Sequence, residues 1–201
     1  MVSAVKELNI IIAGVGGQGI VLMSEILGQA AVRDGLKVRG SEVLGMAQRG
    51  GSVFSNIRLG SAVEAPMTAE GRCDILVGVE PSEALRNIAY LNNQSVVFVN
   101  IRKVIPSTVS LGKSNYPDIE QIKAKLEAVT GKVMILDATE LAEKAGNRQA
   151  TNIVMLGALF SCNNIPITET TMKECIRERV PAKALEANLK AFDIGRDACS
   201  R

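Results

Sequence analysis

The stretch Leu8-Asn9-Ile10-Ile11-Ile12-Ala13-Gly14-Val15-Gly16-Gly17-Gln18-Gly19-Ile20 decides the fold class. Leu8 to Ala13 is a nearly unbroken apolar run of strand length and rich in isoleucine, the pattern of a strand covered on both faces. It passes straight into a glycine turn. From Ile20 the apolar residues recur at Met23, Ile26, Leu27, Ala30 and Ala31, which is helical spacing. Asp34-Gly35 stops that helix near Arg33, with glycine in the position past a helix end. A second strand is predicted from about Lys37 to Glu42. Strand, glycine turn, helix and strand make a βαβ unit. The chain is therefore read as α/β: a single doubly wound, mostly parallel sheet with a Rossmann-like start and helices on both faces.

The same two periodicities continue downstream. Val43 to Gly51 is short and punctuated by glycine, and Ser52 to Leu59 then alternates apolar and polar side chains as a half-buried strand does. Asp74 to Val79, Ser95 to Val99 and Lys132 to Leu136 read as buried strands. Pro81 suits the first turn of a helix over Ser82 to Tyr90, and Pro117 opens one reaching about Val129. Between Asn100 and Tyr116 the periodicity weakens, leaving loops with one short strand expected at Thr108 to Leu111. Asp137 with Glu140, and Thr171 with Glu174, have capping-box spacing. Thr151 to Phe160 is apolar on every face and must be buried, in the core or against another chain. Pro181 opens the last of the C-terminal helices. No repeat or linker interrupts the chain, so residues 1–201 are read as one domain.

Composition narrows the function. The chain has 201 residues, of which 47% are apolar but only 3% aromatic, with no Trp. That suits a Val- and Ile-rich parallel sheet and not the aromatic platforms of a nucleic-acid binder. Net charge is +2, from 23 basic and 21 acidic residues spread along the chain, so neither nucleic acid nor a membrane surface is expected as a partner. No apolar run approaches the roughly 20 residues of a membrane span, and the first residues lack the apolar segment of a signal peptide, which points to the cytoplasm. Cys73, Cys162, Cys175 and Cys199 have no close metal-ligand spacing, and histidine is absent. A self-sufficient hydrolase or metalloenzyme is thereby disfavoured, and no residue is assigned a catalytic or metal-binding role.

Two glycine-rich segments are suited to anions. Gly14, Gly16, Gly17, Gln18 and Gly19 fit a dinucleotide-type turn between strand and helix. Gly14 permits the tight turn, Gly16 lets backbone approach phosphates, and Gly19 allows close helix packing. The first-turn N–H groups and the helix dipole then favour negative charge. The same turn also serves as a purely structural connection. Its usual companion, an acidic residue ~20 residues on, has only Glu42 as a late candidate. The second segment is Gln48-Arg49-Gly50-Gly51, in which Arg49 can fork onto a phosphate or carboxylate, or sit solvated in a glycine loop. Asn100 and Glu80, both at strand ends, are further candidates, Glu80 also as a helix cap.

The run from Gly14 to Ile20, Ser41-Glu42-Val43 and Gly45-Met46-Ala47-Gln48-Arg49-Gly50-Gly51-Ser52-Val53 together resemble the gamma-type domain of the pyruvate/2-ketoisovalerate:ferredoxin oxidoreductases. Within that superfamily the remainder resembles indolepyruvate oxidoreductase beta subunits, through Glu80-Pro81-Ser82-Glu83-Ala84-Leu85-Arg86, Tyr116-Pro117, Ala145-Gly146-Asn147, Thr151-Asn152 and Val180-Pro181. The resemblance covers nearly the whole chain. It implies oxidative decarboxylation of an aryl pyruvate with coenzyme A and oxidised ferredoxin, giving the aryl-acetyl-CoA, carbon dioxide and reduced ferredoxin. It further implies a large alpha subunit carrying thiamine diphosphate and iron–sulfur clusters, with ferredoxin reached through the complex and no cofactor held by this chain alone. This subunit would complete the active-site region, its glycine turn and Arg49 contacting coenzyme A.

Other readings are a gamma subunit acting on pyruvate, 2-oxoglutarate or branched-chain 2-oxoacids, a free-standing NAD(P)-binding reductase, and a scaffold subunit without ligand. Co-purification with a large cluster-bearing partner separates the subunit readings from the reductase, and a coenzyme A titration separates the first from the scaffold.

Overall fold

The computed structural model describes residues 5–45, 50–162 and 165–200. The first apolar run is strand β1 (Leu8–Val15), and the glycine turn leads into helix α1 (Ile20–Arg33), both where the sequence places them. Next come β2 (Val38–Leu44), β3 (Ser52–Leu59), β4 (Ile75–Gly78) and α2 (Pro81–Arg86), with Pro81 in the first helical turn. Then follow β5 (Val96–Asn100), α3 (Ser107–Ser110), α4 (Ile119–Glu127), β6 (Val133–Leu136) and α5 (Ala138–Ala145). The last three helices are α6 (Thr151–Leu159), α7 (Glu169–Arg179) and α8 (Leu185–Cys199).

The strands form one sheet in the order β2-β3-β1-β4-β5-β6. β1 pairs in parallel with β4, Ile10 opposite Ile75, and antiparallel with β3, Leu8 opposite Leu59. β4, β5 and β6 continue the parallel part. β2 is antiparallel to β3 and so runs with β1, two places away. The sheet is mostly parallel, with β3 the strand that opposes the others. The βαβ reading is right in direction and wrong in adjacency, because β3 inserts between its two strands. Composition explains the exchange. β3 carries buried Val53, Ile57 and Leu59, whereas Val38-Arg39-Gly40-Ser41-Glu42-Val43-Leu44 is too polar for an interior place and takes the exposed edge.

Helices cover both faces. Ile10 and Ile12 of β1 point into a core built with α1, α5, α6, α7 and α8, while Ile11 and Ala13 point into a second core with α2 and α4. All four β1 side chains are inaccessible to solvent, which accounts for an apolar run without alternation. The apolar run near residue 151 is core: Asn152 to Leu159 of α6 are all buried. Two local expectations are corrected. Thr108 to Leu111 forms no strand but the short helix α3, because Ser110 and Leu111 donate to the carbonyls of Pro106 and Ser107 and the exposed Leu111 has no sheet to join. Helix α7 begins at Glu169 and not after Thr171. Thr168 is its cap, its hydroxyl accepting from Thr171 N–H, while Thr171 Oγ donates to Asp34.

The tightest packing joins α6 to α8. A Cβ on Gly157 would lie 2.0 Å from the carbonyl oxygen of Phe192, and one on Gly195 2.0 Å from that of Val154. The two helices thus meet backbone to backbone. Gly157→Ala or Gly195→Ala is expected to cost about 3 kcal/mol in urea unfolding, the upper part of the usual overpacking range, because backbone cannot step aside. Gly28→Ala in α1, where the added carbon finds only Val38 at 3.8 Å, is expected to gain about 0.5 kcal/mol.

Candidate functional site

The glycine turn owes its shape to a close approach, a left-handed residue and a set of local hydrogen bonds. A Cβ on Gly14 would fall 2.6 Å from Ile20 Cδ1, so its absence lets α1 start close against the end of β1. Gly19, at φ +75, caps α1 in a left-handed conformation that only glycine adopts cheaply. Gln18 braces the bend, its Oε1 accepting from Val15 N–H at 2.9 Å and its own N–H donating to Val15 carbonyl at 3.1 Å. Gly16 is committed elsewhere: its N–H donates to Gly51 carbonyl at 2.8 Å and its carbonyl accepts from Gly50 at 3.2 Å. The free donors therefore lie further along. The amides of Gly17, Gly19 and Ile20 have no acceptor among the described residues, and no acidic side chain occupies the first turn of α1. Gln48 and Arg49 lie outside the described residues; Gly50 lies against the turn.

Beside those amides opens a cavity of about 590 Å³ at the carboxyl ends of β4 and β5. β1 and β4 are neighbours at the point where the strand order reverses, the usual ligand crevice of such sheets. Arg102, Lys103 and Arg148 line the cavity, and no acidic residue among the described ones does. Arg102 is oriented by Asp137, with Nε to Oδ1 at 3.1 Å and Nη2 to Oδ2 at 3.0 Å. Burial pushes the Asp137 carboxyl up, but the Glu140 amide and Arg102 outweigh it and hold it below its ordinary value. Lys103 Nζ lies 5.2 Å from the centre of the Tyr116 ring, and Arg148 sits near Glu143 at 3.6 Å.

The floor is Asn152. It is 6% exposed, its Oδ1 accepts from Ile153 N–H at 3.0 Å, and its Nδ2 donates to nothing among the described residues. That Nδ2 lies 2.5 Å from where a Cβ on Gly19 would stand. An unspent donor held against a row of unspent amides is suited to an anion.

Of the sequence candidates, Gly17, Gln18 and Gly19 reach the cavity. Asn100 also lines it, but its amide is spent on structure, donating to Val79 carbonyl and accepting from Ala138 N–H, both at 3.1 Å. Glu80 is fully buried and caps α2. Glu42 sits on the edge strand β2, beyond β3 from β1, accepting from Ser24 Oγ at 3.0 Å. It has no place beside the turn. Sequence reasoning missed Arg102, Lys103, Arg148 and Asn152 as site residues. Asn152 had a signal: it is the amide-bearing residue in a run otherwise apolar after Thr151. A larger groove of about 870 Å³ between α1 and β2 carries both charge signs, from Glu25, Arg33 and Arg179, and lies away from the strand ends.

The cysteines do not converge on the cavity. Burial pushes the Cys73 thiol up to about 12 and the Cys162 thiol up to about 11. Among the described residues, no three His, Cys, Asp or Glu side chains are grouped to hold a metal ion, and no helix is long and apolar enough to cross a membrane. A thiol pKa raised by folding stabilises below its unfolded value and loses that contribution as pH rises through the folded one. Cys73 is accordingly expected to resist alkylation at pH 8 in the native protein and to react within minutes in urea, read by mass spectrometry.

Residues 9–198 match the family model described as pyruvate ferredoxin/flavodoxin oxidoreductase. The chain is 47% identical over 191 residues to a Pyrococcus horikoshii protein named indolepyruvate oxidoreductase subunit IorB, covering 94% of this chain and 95% of that one. The fold is similar to a keto/oxoacid ferredoxin oxidoreductase gamma subunit from Geobacter sulfurreducens, with TM-score 0.72, 23% identity and 97% of each chain covered. It is also similar to a 2-oxoglutarate:ferredoxin oxidoreductase from Magnetococcus marinus, solved with 2-oxoglutarate, coenzyme A and succinyl-CoA. There the TM-score is 0.71 at 21% identity, over 97% of this chain and 31% of that one.

Proposed function

This chain belongs to the pyruvate ferredoxin/flavodoxin oxidoreductase family, and from that premise we propose that it is a subunit of an indolepyruvate:ferredoxin oxidoreductase. The complex oxidatively decarboxylates aryl pyruvates, giving the aryl-acetyl-CoA, carbon dioxide and reduced ferredoxin. The observation that carries the reading is the identity of 47% to the Pyrococcus horikoshii subunit over nearly all of both chains. The chain acts as one domain beside a larger alpha subunit that carries thiamine diphosphate and the iron–sulfur clusters. Those groups supply the carbanion and electron chemistry. The residues here do not match the clusters, because the four cysteines are dispersed in sequence.

They do match the charged part of coenzyme A. The amides of Gly17, Gly19 and Ile20 and the Asn152 Nδ2 donate to one phosphate, and Arg102, Lys103 and Arg148 balance the remaining charge. Gly14 and Gln18 hold the turn, and Gly16 joins it to Gly50 and Gly51. This chain's contribution is to seize the nucleotide end of the thiol so that its sulfur is delivered to the partner's acyl group. Charge-assisted hydrogen bonds of this kind contribute about 1.5–3 kcal/mol each.

Two experiments test the reading. Arg102→Ala and Arg148→Ala, in the complex reconstituted with the large subunit, are each expected to raise KM for coenzyme A about tenfold, with a larger effect at low salt. Unchanged KM in both refutes the coenzyme A contact. Turnover of an oxoacid by the purified chain alone refutes the subunit reading.

A further inference from the structure

We propose that Glu80 is a positioning residue for the cationic rim of the cavity: its buried carboxylate clasps the segment after β5 and so sets where Arg102 and Lys103 meet the ligand's phosphates. This inference rests on the reading that the cavity takes coenzyme A.

Glu80 follows β4 and is inaccessible to solvent. Its Oε2 accepts from Ser82 Oγ at 2.6 Å and from Glu83 N–H at 3.1 Å, which caps α2. Capping needs no more than this, and Ser, Thr, Asp or Asn serve it best. The other oxygen works across the fold. Oε1 accepts from Val104 N–H at 3.2 Å and from the hydroxyl of Tyr116 in a short contact. A carboxylate can be buried without a cation when several donors converge on it, and here four do. The extra methylene of glutamate over aspartate is what lets one side chain cap a helix and reach a second loop.

The second loop has little else to hold it. Val104, Ile105 and Leu111 are 37%, 49% and 69% exposed, so few apolar contacts anchor the segment between β5 and α4. Its fastenings are polar. Asp137 holds Arg102 on one side, and Tyr116, itself bonded to Glu80, seats Lys103 against its ring on the other. Ser82 N–H also donates to the Tyr116 hydroxyl at 3.3 Å, tying the same tyrosine to α2. Glu80 is not among the residues lining the cavity, and it acts on a ligand through Arg102 and Lys103.

The test uses the reconstituted complex and two variants that approach the clasp from opposite sides. Glu80→Asp keeps a carboxylate cap for α2 but is one methylene too short to hold Val104 and Tyr116. Tyr116→Phe leaves the cap intact and removes one donor. Both are expected to raise KM for coenzyme A about fivefold while kcat at saturation stays within about twofold. KM for pantetheine, which lacks the phosphates, is expected to stay at the wild-type value, which a general loss of structure would not allow. Trypsin is expected to nick both variants after Arg102 or Lys103 faster than the wild-type chain. If both variants keep wild-type KM for coenzyme A while Arg102→Ala raises it, the clasp is refuted alone. If Arg102→Ala is also silent, the cavity reading falls and the clasp with it.

Discussion

Helix α1 lies so close to the end of β1 that no side chain fits between them, and the rest of the site depends on that approach. At Gly14 an added carbon would meet Ile20, and at Gly19 it would meet Asn152. Leaving both positions without a side chain lets the first turn of α1 settle over the sheet edge, with Gly17 and Gly19 lining the crevice beside β4. The left-handed Gly19 ends the turn without a side-chain cap, so those amides keep their donor capacity for something else. A serine or aspartate there would spend its oxygen on the amide of Val21 or Leu22 and would force a side chain against Asn152.

Around that fixed point the charge is assembled from distant segments. Arg102 and Lys103 come from the loop after β5, Arg148 from just before α6, and Asn152 from the first turn of α6 itself. α6 can present Asn152 there because it is locked from behind: its backbone touches that of α8 at Gly157 and Gly195. A polar residue on an otherwise buried helix is costly unless something receives its hydrogen bonds. Asn152 uses its oxygen on its own backbone neighbour and leaves its nitrogen at the cavity. The same economy governs Glu80, which accepts from four donors and so ties α2 to the segment after β5. Rigid backbone packing below and buried polar ties above hold a set of cations that have few apolar contacts of their own.

This division explains why a chain without histidine or grouped cysteines can serve an oxidoreductase. On the proposed function, gripping a large anionic thiol requires amides and guanidinium groups on a stiff frame, and these need no unusual reactivity. The redox and carbanion chemistry requires cofactors, which the proposed function places on the larger partner. The mixed-charge groove between α1 and β2 lies apart from the cationic cavity, sharing no lining residue with it.

The periodicity of the chain was enough to identify most of the elements. β1, α1, β3 and the buried α6 stand almost where apolar spacing puts them, because that spacing reports directly whether a segment is covered on one face or two. The glycine turn was legible for the same local reason, since glycine at Gly14 and Gly19 answers to sterics within a few residues. Strand order was not legible. An alternating pattern reads as a half-buried strand, yet β3 sits inside the sheet against β1 with Ser55 and Asn56 buried as well, and it took the competition between Val53, Ile57 and Leu59 and the polar β2 to settle which strand went inside. The cationic rim escaped for a related reason: Arg102, Arg148 and Asn152 look like ordinary surface or capping residues until the chain brings them together. Local sterics and burial are written in the order of residues; the meeting of groups far apart in the chain is decided only when the two cores close.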